Sequence, residues 1–125
     1  MRKICDLDVK LYRCVCADIR TAEVIITEER IRHIRERHPD DFERYSSCMA
    51  GMVEDPQYIL EDAFPNTAVI LQEFVQGGEH FRLVMKIAVT ADGPDKKNSV
   101  ITFMKISEKK FRKYLRNKKI LYKRE

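Results

Sequence analysis

EHFRLVMKIAVT, residues 79–90, is the stretch on which the fold turns. Its odd positions, Phe81, Leu83, Met85, Ile87 and Val89, are all apolar, while Arg82 and Lys86 fall among the even ones. Alternation with period two marks a strand that buries one face. Arg82 and Lys86 then project from the opposite face, about 13 Å apart at the usual strand rise. Further strand candidates flank it: YILED (58–62), AVILQEFVQ (68–76) and SVITFMKI (99–106). Gly77-Gly78 predicts a two-residue hairpin turn at positive φ. ADGPDKKN (91–98) reads as a longer polar loop, so the last three strands form an antiparallel meander.

Toward the N-terminus, LYRCVCADI (11–19) and EVIIT (23–27) read as short strands rich in β-branched and apolar residues. Thr27 is a helix N-cap, with Glu28 and Glu29 suited to the positive end of the helix dipole. The helix stops by His38, because Pro39 disfavours helical geometry in the residue before it. Asp40 and Glu43 resemble a capping box that opens a second helix, reaching about Val53. Phe42, Tyr45, Met49, Met52 and Val53 form its apolar stripe. Toward the C-terminus, Ser107 caps a short basic helix with Phe111, Tyr114 and Leu115 inward, and KILYK (119–123) returns as an edge strand. The expected class is α+β: N-terminal helices packed on a mainly antiparallel sheet of four to five strands, with a short basic C-terminal helix.

The 125 residues are 44% hydrophobic and 35% charged, with the two kinds evenly mixed, which excludes disorder and suits one domain over 1–125. No stretch approaches the ~20 apolar residues of a membrane span. MRKICDLDVK has a basic start but no apolar run behind it, so it is not read as a signal peptide, and the expected location is the cytoplasm. The net charge is +4, yet residues 105–125 carry ten Lys and Arg against two Glu. Such asymmetry fits a polyanionic partner, although a solvated Lys-rich helix face has the same composition. Four cysteines without a CxxC pair offer neither a zinc ribbon nor a thioredoxin-type site. Cys14 and Cys16 fall on one face of a strand, and all four thiols read as reduced and structural.

On the first helix His33 and Arg37 are neighbours at i and i+4, with Arg30 beside them, while Ile31, Ile34, His38 and Phe42 cluster on another side. An imidazole to move protons beside a guanidinium to balance charge suits phosphodiester transesterification. The same pair also reads as an exposed helix surface. His38, on the core side at the helix end, reads first as a structural or carbonyl-capping residue. Arg82 and Lys86 could grip phosphates, or simply form the wet face of a sheet. Thr102 and Lys105 point to opposite faces of their strand unless a bulge intervenes. His33 and His38 are five apart, unlike the pair of an HExxH site, and Asp92-Gly93-Pro94-Asp95 lacks the ligands of a calcium loop. No metal and no cofactor is expected.

ITEERIRHIRERHPDDFERY, VEDPQYILED and NSVITFMKISEKKFRKYLRNKKILYK, in this order, resemble the phage-associated branch of the barnase/EndoU/colicin/RelE-like nucleases over about residues 23–123. The resemblance implies helices packed on an antiparallel sheet and metal-independent RNA cleavage by the 2′-hydroxyl. It implies a toxin or phage effector acting on RNA, tRNA among the candidates, with a cognate inhibitor protein possible and no membrane involved. Carried onto this chain, the catalytic positions are His33, Arg37, His38, Arg82, Lys86 and Thr102. The RNA contacts are Asn98, Ser99, Met104, Lys105, Lys109, Lys113, Arg116 and Lys118. Met104 stands where relatives commonly carry Trp, which weakens base stacking at that position. A module of the same fold that binds RNA or protein without cleaving is the alternative.

Overall fold

The sequence of residues 58–106 predicts four strands, and all four form, within a sheet wider than expected. The computed structural model describes residues 1–125. In chain order the elements are β1 (Arg2–Asp6), α1 (Val9–Tyr12), β2 (Glu23–Ile26), α2 (Glu28–Arg37), α3 (Pro39–Tyr45) and α4 (Cys48–Glu54). There follow β3 (Tyr58–Glu61), β4 (Thr67–Glu73), β5 (His80–Lys86), β6 (Asn98–Ile106), α5 (Glu108–Asn117) and β7 (Ile120–Lys123). The seven strands make one sheet in the order β1-β2-β6-β5-β4-β3-β7. Every neighbouring pair is antiparallel except β2–β6. The class is α+β as expected, with seven strands in place of four or five.

Each face of the sheet carries its own core. Phe81, Leu83, Met85 and Ile87 sit on one face with Phe103, against Ile31, Ile34, Phe42, Met49 and Met52 of α2–α4. Val89 drops out of this alternation because it leads into a turn at Thr90–Asp92, its N–H donating to the Asp92 carboxylate at 2.9 Å. On the other face Val69, Leu71, Val84 and Ile106 pack under Phe111 of α5. The helices therefore cover both faces, because α5 buries its Phe111 where the sheet presents a second apolar row.

Three local expectations are corrected. Residues 11–19 are not a strand: the Asp8 carboxylate accepts the Leu11 N–H at 3.3 Å and opens one helical turn. Tyr12 then enters the core, its hydroxyl donating to the Val53 carbonyl at 2.7 Å, with irregular chain to Glu23. Cys14 and Cys16 thus share no strand face, and Cys5 is the one buried thiol. The helix expected over 40–53 is two helices, broken at Ser46-Ser47, residues that compete for backbone hydrogen bonds. Gly77 and Gly78 do take positive φ, at 89° and 65°, but inside a six-residue loop between Glu73 and His80. That loop is closed by the Phe74 N–H donating to the Glu79 carbonyl at 2.9 Å.

One irregularity places the candidate site. β2 pairs with β6 only at Val24–Asn98 and Ile25–Ser99. From Val100 onward that edge of β6 has no strand neighbour, and α2 and α3 lie against it instead.

Candidate active site

Thr27 leads from β2 into α2, its hydroxyl accepting the Arg30 N–H at 3.1 Å. Burial of Ile31 and Ile34 fixes the helix rotation, so Arg30, His33 and Arg37 turn toward the open edge of β6. Pro39 ends the helix, and His38 becomes both C-cap of α2 and N-cap of α3. Its N–H donates to the Ile34 carbonyl at 2.7 Å, and its carbonyl accepts from the Asp41 N–H at 3.1 Å. Two side-chain contacts brace this corner. Arg35 Nε donates to Glu43 at 2.7 Å, and the Asp41 carboxylate accepts the Lys105 N–H of β6 at 3.2 Å.

Across from α2, β6 bulges between the Val84–Thr102 and Met85–Val100 pairs. The extra residue, Ile101, and its neighbour Thr102 close a cavity of about 240 Å³ lined also by Arg30, His33, Ile34, Arg37 and His38. Four of the six expected catalytic residues, His33, Arg37, His38 and Thr102, thus share one cavity. Arg30 joins them; it stands one turn before His33, which is the signal that could have added it. His33 is 46% exposed, with Nε2 3.8 Å from the Glu29 carboxylate. No group of three His, Cys, Asp or Glu side chains converges anywhere in the chain.

Arg82 and Lys86 lie outside that cavity. Both sit on the α5 face of β5, with Arg82 opposite Met104 and Lys86 opposite Ser99. Arg82 is a diagonal neighbour of Thr102, a separation of about 7–8 Å. Its guanidinium donates to Met104 Sδ at 3.6 Å and lies 5.5 Å from the Tyr114 ring centre. Lys86 Nζ donates to the Pro65 carbonyl at 3.1 Å, pointing away from α2.

Among the expected RNA contacts the placements diverge. Asn98 is fully buried, and its amide is consumed by the backbone: Oδ1 accepts from Ala88 at 2.8 Å, and Nδ2 donates to Thr21 and Glu23. It offers nothing to a ligand and instead ties the irregular segment before β2 to the sheet. Ser99 and Met104 are half-buried on the α5 face. Lys105 is exposed on the other face, 5.9 Å from the Tyr45 ring. Lys109, Lys113 and Lys118 line a second cavity along α5, and Arg116 is exposed beyond it.

Histidines and guanidinium groups beside a half-open sheet edge, with a lysine-lined helix nearby, define a small α+β domain whose cationic surfaces suit a polyanion. The chain belongs to the phage-Barnase-EndoU-ColicinE5/D-RelE like nuclease2 family, whose model matches residues 9–123. It is therefore a nuclease-family domain over nearly its whole length. Comparison with the curated proteins and with the solved structures finds no match. No helix is long and apolar enough to cross a membrane.

Proposed function

We propose that the domain is a metal-independent endoribonuclease that cleaves at the cavity between α2 and β6. The observation that carries this reading is the convergence of His33 and His38 with Arg30 and Arg37 on one cavity closed by Thr102. Transesterification needs a base to deprotonate the ribose 2′-hydroxyl, which attacks the adjacent phosphorus. It also needs an acid to protonate the departing 5′-oxygen, and the product end is a 2′,3′-cyclic phosphate. His33, half-exposed in the cavity wall, acts as base. His38, held in the corner between two helices, protonates the leaving oxygen. Arg30 and Arg37 balance the charge that builds on the phosphorane, and Thr102 donates a hydrogen bond to a phosphate oxygen. Arg82 follows one row along the sheet, and Lys109, Lys113, Arg116 and Lys118 hold RNA backbone beyond the cavity.

The family's phage association supports an effector or toxin working on cytoplasmic RNA, tRNA being the first candidate, with a cognate inhibitor as the matching partner class. A second reading, an RNA-binding module without cleavage, draws on Lys86 and Arg82: the first binds the Pro65 carbonyl and the second rests under Tyr114. The test is incubation of total tRNA with wild type and His33→Ala in EDTA, followed by analysis of fragment ends. Wild type leaves cyclic-phosphate ends and His33→Ala leaves the RNA intact. The variant keeps its stability within about 0.5 kcal/mol, because an exposed side chain is removed. Intact RNA after incubation with folded wild type sinks the nuclease reading and leaves the binding module.

A further inference from the structure

Helix geometry divides α5 into unlike flanks. At 100° per residue Lys110, Tyr114 and Asn117 share one side, and Glu108 and Arg112 share the other. Glu108 is spent there, its carboxylate accepting from Arg112 at 2.8 Å. The first flank borders a cavity of about 390 Å³ whose lining includes Lys109, Lys110, Lys113 and Lys118 with no carboxylate. Four ammonium groups so gathered repel one another, and a bound polyanion relieves that repulsion.

Tyr114 is the only aromatic residue lining this cavity. Its ring rests on Arg82, whose Nε is buried without a hydrogen-bond partner and whose Nη1 reaches only the Met104 sulfur. No acid pairs with that guanidinium, which lies against one face of the ring. A line of neighbours joins the two cavities across the sheet. Thr102 and Met104 share a face about 7 Å apart, Met104 touches Arg82, and Arg82 underlies Tyr114.

We propose that the α5 cavity is a nucleotide subsite, which binds one unit of single-stranded RNA a short distance along the strand from the α2–β6 cavity. The base stacks on Tyr114, and the flanking phosphates lie among Lys109, Lys110, Lys113 and Lys118. This rests on RNA being the ligand but not on its being cleaved. The subsite sets where a strand sits, and so which bond reaches His33.

The chain has no tryptophan, so Tyr114→Trp supplies a single indole at the subsite. A stacked base quenches indole fluorescence, whereas a phosphate chain alone does not. Titration with a short single-stranded RNA, inorganic polyphosphate and a free nucleoside monophosphate separates the possibilities. RNA is expected to quench strongly, polyphosphate to compete with it without quenching, and the mononucleotide to bind far more weakly. Equal signals from RNA and polyphosphate overturn the proposal in favour of a plain charged patch. A mononucleotide that quenches as strongly as RNA overturns strand binding and assigns a small-molecule site. In parallel, Tyr114→Phe retains wild-type RNA affinity while Tyr114→Leu, which keeps the apolar packing, loses about tenfold; equal affinities for the two also overturn it. Quenching on an RNA that stays uncut sinks the cleavage reading alone, and cleavage without quenching sinks the subsite alone.

Discussion

Buried and exposed positions ask different things of the same residue type, and the four cysteines illustrate it. Burial pushes the Cys5 thiol up to about 11, with Glu54 and Asp6 adding to the effect. Burial also raises Cys14, Cys16 and Cys48. Since thiolate is the reactive form, all four react sluggishly at neutral pH. A disulfide reagent at pH 7.5, with sites read by mass spectrometry, should modify exposed Cys14 first and leave Cys5 untouched until denaturant is added. Cys5 labelling as fast as Cys14 would contradict its burial. Cys5 also loads the alkaline limb of stability. Its folded value lies above the usual 9.0, so the stability it lends is complete below pH 9 and is lost as pH rises toward 11. Asn98 shows the limit of reading single residues. The sequence places it at the end of the loop expected over 91–98, whereas it opens β6, and the three backbone partners that enclose it come from residues 21, 23 and 88.

At the scale of elements, local signals were legible where they were self-contained. Thr27, Pro39 and Ser107 set helix ends through contacts within a few residues, while β5 declared itself by alternation and β3, β4 and β6 by apolar runs. Elements resting on distant partners did not. β1 buries only Cys5 among its five residues, so no apolar pattern announces it, and it exists because β2 lies beside it. α1 owes its position to Tyr12 reaching Val53, 41 residues away. The α2–β6 cavity was half legible: helical spacing joined His33 to Arg37, whereas nothing in the sequence says that β2 stops pairing after Ile25 and leaves Thr102 beside them. For α5, periodicity pointed Phe111 inward but could not say which face of the sheet receives it. Its docking rests on that ring, packed at 4.7 Å against His80 and 6.0 Å against Tyr58. Phe111→Ala is therefore expected to cost about 3–4 kcal/mol in urea unfolding. Hydrogen exchange should accelerate over 108–117 before it does over β5. Uniform acceleration would mean that α5 and the sheet open as one unit.

For the whole molecule, charge is concentrated where the ligand is proposed to lie. Residues 105–125 hold ten of the 24 basic groups and only two of the 20 acidic ones. RNA affinity should fall steeply with salt, as bound phosphates release condensed ions. If Lys109 and Lys113 each meet one phosphate, replacing either with Ala lowers the slope of log affinity against log salt by about 0.7. Unchanged slopes would place the strand elsewhere on the surface.

β6 sits between β2 and β5, and so joins residues 2–26 to residues 58–86. A folding chain can form the β3–β4–β5 meander through short loops, and separately the β1–β2 pair across the segment that carries α1. The two halves become one sheet only when residues 98–106 enter between them, which closes a loop of some seventy residues back to β2. Until then Thr102 has not reached His33, and no cleft exists. A half-folded chain therefore lacks the cavity on which the proposed cleavage depends, and the site is completed only by the longest loop closure in the sheet.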